Sequence, residues 1–242
     1  MKHTYYPTVL DLKDTPTLTL PPRGGGKGEG ESRYYYPAFL NLKGKKVVII
    51  GGGKVAQRKV VTLLKTGADL TVISPELTKK IEREKLKGRI KHIRRQYRKG
   101  DLKNAFLVIA ATDSPDVNEQ VSKDAPCLVN VVDTPHLCNF IVPSVIKRNP
   151  LTIAVSTSGI SPALSRSIRK ELEKMYGSEF SEYLKSLRRI RTEAMRVIKD
   201  KRKRGEFLKA IASEKIIEML RETGFREAQR LAEDLLRKVK TS

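Results

Sequence analysis

The run VVIIGGGKVAQRK, from Val47 to Lys59, carries the strongest chemical signal in the chain. Gly51, Gly53 and Ala56 fit the pattern G-x-G-x-x-G/A, with Gly52 between them, directly after four apolar residues. Each position has a physical reason. Gly51 permits a tight turn, Gly53 lets the backbone approach a pyrophosphate, and Ala56 is small enough for a helix to sit against a strand. The free N–H groups of that helix then face the phosphates. The chemistry so implied is dinucleotide binding; a glycine turn that only connects two elements is the competing reading. The acidic residue that ordinarily receives the ribose is missing. Near position 74 the chain reads Ile73-Ser74-Pro75-Glu76. Ser74 offers a hydrogen bond, Glu76 lies two residues on, and no Arg stands there for a 2′-phosphate. NAD is favoured over NADP on this ground.

Three more residues fall where chemistry could be placed. Asp133 directly follows the apolar run CLVNVV, so it emerges at the carboxyl edge of a sheet, where ligands of such folds bind. Taken alone, D-T-P is a turn and Asp133 a turn former. Thr112 and Asn130 end apolar runs at the same edge, where Thr112 would meet the cofactor and Asn130 the substrate; bonding the cofactor or fixing a neighbouring loop are the other readings of Asn130. His136 and Cys138 stand near Asp133 in sequence, but three residues of mixed type lack ligand spacing, so no metal site is expected.

The elements that must position these groups alternate from Lys45 onward. KVVII (46–50), DLTVI (69–73), RIKHI (89–93), FLVIAA (106–111) and CLVNVV (127–132) read as strands. Helices are expected over Lys54 to Thr66, stopped by Gly67, over Pro75 to Lys87, and from Pro115, capped by Asp113 or Ser114. Val55, Val60, Leu63 and Leu64 form the apolar side of the first helix. Apolar runs without alternation imply burial on both faces, hence a parallel sheet covered by helices. The fold class is α/β, a Rossmann-like doubly wound sheet of about five strands. NFIVPSVI and PLTIAVST (139–157) then read as two extended segments around the turn signal KRNP. Beyond Pro162 the chain reads as helical. Leu164, Ile168 and Leu172 share one face, and Phe180, Tyr183, Leu184, Leu187, Ile190, Ala194, Val197, Phe207, Ile211, Leu220, Leu231 and Leu235 continue a helix–helix core.

The N-terminal part differs. Residues 15–32 are rich in Pro and Gly and read as a linker or insertion. YYPTVLDLK from Tyr5 and YYPAFLNLK from Tyr35 flank that stretch, and seven of their nine residues are identical or closely similar. Two copies are too few for a solenoid. A local duplication is inferred, with only the second copy leading into the fold; residues 1–32 are expected to be dispensable. The converse arrangement, with the first copy in the sheet, is the alternative.

The chain has 242 residues and a net charge of +22. Such a field attracts polyanions, whether nucleic acid or a small polycarboxylate. A Lys/Glu/Arg-rich solvated surface is the plainer account. There is no Trp, and no nucleic-acid-binding motif is found. No apolar run approaches membrane-helix length, and the N-terminus lacks an apolar signal core. A cytoplasmic protein without a membrane partner is expected, with Cys127 and Cys138 not joined in a structural disulfide.

The runs YYPAFLNLKGKKVVIIGGGKVAQRK, ADLTVISPEL, AATDSPDVN, LVNVVDTPHLCNFIVPS and LTIAVSTSGISPALSR resemble, in order over about residues 35–170, the precorrin-2 dehydrogenase/ferrochelatase module of siroheme synthesis. The resemblance implies a homodimer in which residues 34–137 bind NAD, 138–161 form a small β dimerisation region and 162–242 a helical domain, preceded by an extension over 1–33. It implies NAD-dependent oxidation of precorrin-2 to sirohydrochlorin and, in some members, insertion of Fe2+ as a substrate to give siroheme. It places Lys54, Val55, Pro75 and Glu76 in the cofactor site, makes Asp133 the catalytic aspartate, and sets Ser156, Thr157 and Ser158 in a substrate-facing loop. Some members carry Ser where this chain has Thr157. The substrate is an octacarboxylate, which gives the basic composition a physical role. The rival reading is a nucleic-acid or partner-binding protein with a cofactor-sensing domain, supported by KSLRRIRTEAMRVIKDKRKR (185–204), with ten basic residues and two acidic ones. A solvated helix face is the simpler account of that run, so nucleic acid is not the expected partner.

Overall fold

The computed structural model describes residues 35–241. The first copy of the duplicated segment and the Pro/Gly-rich stretch lie outside the described residues. Tyr35–Ser242 forms one compact unit. The second copy has no regular secondary structure, but its Leu42 is buried in the core, and a turn at Lys43–Gly44 leads from it into β1 (Lys46–Ile50). The second copy therefore does lead into the sheet.

Then follow α1 (Lys54–Leu64), β2 (Asp69–Ile73), α2 (Lys79–Leu86), β3 (Lys91–Ile93), β4 (Leu107–Ala110), α3 (Pro115–Asp124) and β5 (Leu128–Val131). The strands form a five-stranded parallel sheet in the order β3-β2-β1-β4-β5. Both faces are covered, which is why the strand sequences do not alternate. On one face Val47, Ile49 and Val72 pack with Ala56, Val60 and Leu63 of α1 and Ile81 of α2. On the other, Val48, Ile50, Val108 and Val129 pack with Val121 of α3. Burying each such side chain contributes roughly 1.5–3 kcal/mol. Ile50 pairs with both Ile73 and Ala110, and Ala110 with Val131. The carboxyl ends of the four longer strands thus come out level, and the order reverses between β1 and β4, opening a crevice there.

The second helix is shorter than its sequence suggests. Pro75–Thr78 is not helical, because it is drawn across the glycine turn: the Thr78 N–H donates to the Gly52 carbonyl at 3.0 Å. The helix starts only at Lys79, where the Thr78 hydroxyl caps it by accepting from the Ile81 N–H. Ser114, rather than Asp113, caps α3.

Beyond the sheet, β6 (Ser144–Arg148) and β7 (Leu151–Val155) form an antiparallel pair. Five helices follow: α4 (Pro162–Met175), α5 (Ser178–Val197), α6 (Lys201–Ala210), α7 (Glu214–Glu222) and α8 (Phe225–Thr241). Phe180, Tyr183, Ile190 and Ala194 of α5 meet Phe207, Ile211, Leu220, Ala228, Ala232 and Leu236 in one core. The Tyr183 hydroxyl donates to the Ile211 carbonyl at 2.7 Å, and burial pushes its pKa up to about 12. Leu231 and Leu235 are only partly buried against this core, since Ala228, Ala232 and Leu236 face it directly. The expected core face of α4 is corrected: Leu164 is 53% exposed, and Ser165 is the only buried residue of that helix. The helix packs against β6 and β7 with its small side and leaves Leu164 toward solvent. Among the described residues, no helix is long and apolar enough to cross a membrane.

Candidate functional site

At the carboxyl edge of the sheet a cavity of about 810 Å³ opens over the end of β1. Gly51, Gly52, Gly53, Lys54, Val55, Ser74, Pro75, Glu76 and Thr112 all line it, so the structure brings together the residues that sequence reasoning set around a dinucleotide. The glycines are required by different neighbours. Gly51 has φ of +111°, and a Cβ there would overlap the Ala111 carbonyl. A Cβ on Gly52 would overlap the Glu76 carbonyl and come within 2.8 Å of Ser74 Oγ. Gly53 alone looks into open space, with nothing within 4 Å of a built Cβ. α1 starts there with no side-chain cap and no acidic residue in its first turn. Its positive end is thus left uncompensated by the chain and suited to an anion, and Lys54 lines the same cavity. The cradle fits the pyrophosphate of a nicotinamide dinucleotide.

The rest of the cavity wall is fixed by hydrogen bonds. His92 Nε2 bonds the Ser74 carbonyl at 2.9 Å, and the Ser74 N–H donates to the Ile93 carbonyl, tying the turn after β2 to the end of β3. The Thr112 hydroxyl donates to Asn118 Oδ1 at 2.8 Å, and Asn118 Nδ2 returns a bond to the Thr112 carbonyl. Gln96 and Tyr97, in the loop after β3, were missed by sequence reasoning and close the far side. The Tyr97 hydroxyl donates to Asp124 Oδ2 on α3 at 2.8 Å; burial, reinforced by that bond, raises its pKa well above the usual phenol range. Their only sequence signal was their place just beyond a strand end.

Asp133 does not line this cavity. It sits two residues past β5, exposed, with φ of +59°. The sheet order puts it beyond β4, on the opposite side of the glycine turn from β2. The cavity is bounded by the ends of β1, β2, β3 and β4, which is the adenosine side of such a crevice, and β5 flanks the other side. The loop that carries Asp133 folds onto α1: Val132 and Phe140 pack against the cluster of Ala56 and Val60. Lys59 of α1, which sequence reasoning also missed, is half-buried there. Burial lowers its pKa, helped by Arg58, while the Asp133 carboxylate opposes that shift.

Asn130 Nδ2 donates to the Phe140 carbonyl at 3.2 Å, which ties the end of β5 to the neighbouring loop. Cys138 Sγ accepts from the Val131 N–H at 3.1 Å and donates to backbone carbonyls of the same loop. No group of three or more His, Cys, Asp or Glu side chains suited to a metal ion is assembled among the described residues. Ser156, Thr157 and Ser158 lie outside the cavity, in the loop before α4. The Thr157 hydroxyl accepts from the Ser161 N–H at 3.0 Å and lies 3.1 Å from Ser165 Oγ, so it knots the start of that helix. Ser156 and Ser158 stay exposed.

A family model described as a putative NAD(P)-binding domain matches residues 38–144, and one described as the central part of a sirohaem biosynthesis protein matches residues 148–175. The siroheme synthase of Azotobacter vinelandii is 38% identical over 202 residues, covering 82% of this chain and 44% of the relative. That of Methylobacillus flagellatus is 45% identical over 140 residues, 57% of this chain and 30% of the relative. The chain thus spans less than half the length of these curated relatives. A solved precorrin-2 dehydrogenase, SirC, superposes with a TM-score of 0.72 at 28% identity, over 84% of this chain and 100% of that one. The glycine cradle at the first parallel strand, the two matched modules in order and the shared fold lead to one conclusion: the chain is similar, over most of its length, to siroheme synthases and to a precorrin-2 dehydrogenase.

Proposed function

We propose that the chain is an NAD-dependent precorrin-2 dehydrogenase, with Asp133 as its proton acceptor. The observation that carries this reading is the placement of a lone exposed carboxylate at the end of β5, across the glycine turn from the cavity that fits adenosine and pyrophosphate. When bound, NAD supplies the acceptor for the hydride lost by the tetrapyrrole. A proton leaves the tetrapyrrole with that hydride, and the Asp133 carboxylate takes it up. Gly53, Lys54 and the start of α1 hold the pyrophosphate, and the Ser74–Glu76 turn receives the ribose. The choice of NAD over NADP rests on Glu76 and on the lack of a cation in that turn.

Metal insertion displaces two pyrrole protons; the same carboxylate takes them in turn, releasing the first to water before the second, in a ferrochelatase step in which Fe2+ is a substrate. Residues 138–161 are assigned to a homodimer interface. Val142, Val145, Ile160 and Leu164 are 50%, 36%, 88% and 53% exposed, a run of apolar surface that a lone chain leaves in water. Lys185, Arg188, Arg189 and Arg196 line one face of α5 and add to the field that draws in a polycarboxylate.

The test is anaerobic incubation with precorrin-2. NADH and the absorbance of sirohydrochlorin should appear together, and only when NAD+ is added. Conversion without NAD+, or none with it, overturns the reading. Binding of nucleic acid that weakens steeply with salt and ignores NAD+ would favour a nucleic-acid role for the α5 face instead.

A further inference from the structure

Among the described residues that line the dinucleotide cavity, Lys54 is the only cation, and it stands at the pyrophosphate end. The ribose end has an arginine close by that does not reach it. The Arg95 N–H donates to the Ile93 carbonyl at 3.0 Å, and the Ser74 N–H donates to the same oxygen at 3.2 Å. Two donors on one acceptor lie at most about 6 Å apart. An extended arginine side chain starting at Arg95 spans a comparable distance, so the Ser74–Glu76 turn is within its compass.

Its guanidinium is held elsewhere. It donates to Asp101 Oδ1 at 2.7 Å and to Oδ2 at 2.8 Å, a two-pronged bond, and also to the Gln96 carbonyl at 3.0 Å. Asp101 is anchored in turn: its Oδ2 accepts from the Arg98 N–H at 2.8 Å, and its side chain is only 10% exposed. Paired bonds of this geometry fix a guanidinium in direction as well as position. Gln96, next to Arg95, lines the cavity while Arg95 does not.

A 2′-phosphate differs from a 2′-hydroxyl by a dianion that needs a cation beside it. We propose that Asp101 selects against the 2′-phosphorylated dinucleotide by clamping Arg95 away from the Ser74–Glu76 turn, where Glu76 repels that phosphate. This rests on the NAD reading above and names the residues behind it. The clamp makes Arg95 a latent phosphate-binding residue and Asp101 a positioning residue that touches no cofactor.

The test is direct titration of NAD+ and NADP+ by calorimetry, with no tetrapyrrole present. Wild type should favour NAD+. Asp101→Asn should tighten NADP+ by about tenfold, the scale of one charged hydrogen bond, with NAD+ little changed. The gain should vanish in the double variant Asp101→Asn/Arg95→Met. Arg95→Met alone should leave NADP+ binding as it is in wild type; weaker binding there would mean that Arg95 already touches the phosphate, and would overturn the clamp. That arm, with Asp101→Ser, decides the matter should Asp101→Asn melt early. No gain in a cooperatively folded Asp101→Asn, or a gain that survives loss of Arg95, overturns the inference while leaving NAD preference standing. Equal affinity of wild type for both dinucleotides overturns the NAD reading and the inference with it.

Discussion

Asp133 leaves β5 in a left-handed conformation, and its charge acts on the half-buried ammonium of Lys59 on α1. Burial depresses the lysine pKa, and Asp133 opposes that depression. Replacing Asp133 with Asn removes the opposing charge, so Lys59 should lose its proton at a lower pH than in wild type. NMR titration of the lysine side-chain signals reads this directly. An unmoved titration would mean that the two groups do not meet in solution.

The same variant separates binding from chemistry. Asn tolerates the φ of +59° as Asp does, so the loop should hold its shape. Loss of the proton acceptor should reduce NADH production by roughly 10²–10⁴-fold. NAD+ affinity should stay close to wild type, because Asp133 does not line the cavity. A matching loss of NAD+ affinity would place the carboxylate in the cofactor site.

Two adjacent glycines should fail in opposite ways. Gly52→Ala drives a methyl into the Glu76 carbonyl and should cost about 1–3 kcal/mol or more of stability, read from the urea midpoint. Gly53→Ala meets no protein atom and has an ordinary φ of -76°, so its midpoint should hardly move. Its NAD+ affinity should fall, because the methyl occupies the approach of the pyrophosphate.

Asp101 ties stability to acid pH. Its bonds with Arg95 hold its carboxyl below the ordinary value of 3.8. A depressed folded-state pKa stabilises above the unfolded value and is lost as pH falls through the folded one. The melting temperature of wild type should therefore drop more steeply below about pH 4 than that of Asp101→Asn. Parallel curves would show that the pair contributes nothing to folding.

The apolar surface around α4 should be an interface between copies. Leu164→Glu puts a charge on it at a residue that is 53% exposed. Wild type should run as a dimer in light scattering and the variant as a monomer with its melting cooperative. A wild-type monomer would remove residues 138–161 from the interface.

Sequence alone determined much of this protein. Four apolar runs without alternation read as strands buried on both faces and RIKHI as a fifth, more polar one, and the observed sheet has all five in parallel. Gly51, Gly53 and Ala56 report local needs, a turn, an open approach and a close helix, each legible because backbone conformation and side-chain size depend on near neighbours. What the sequence left open was settled by contacts between distant segments. Residues 75–78 read as the first turn of a helix until Thr78 is bonded to Gly52, a partner in another loop. Leu164 looks like core because periodicity shows that a face is apolar but not whether its own chain covers it. Gln96, Tyr97, Lys59 and Arg95 carry no local pattern; the fold alone gives them roles, by bringing strand ends and one helix face to the same crevice. Burial, charge pairing and the clamp on Arg95 are properties of that proximity, and no single stretch of chain contains them.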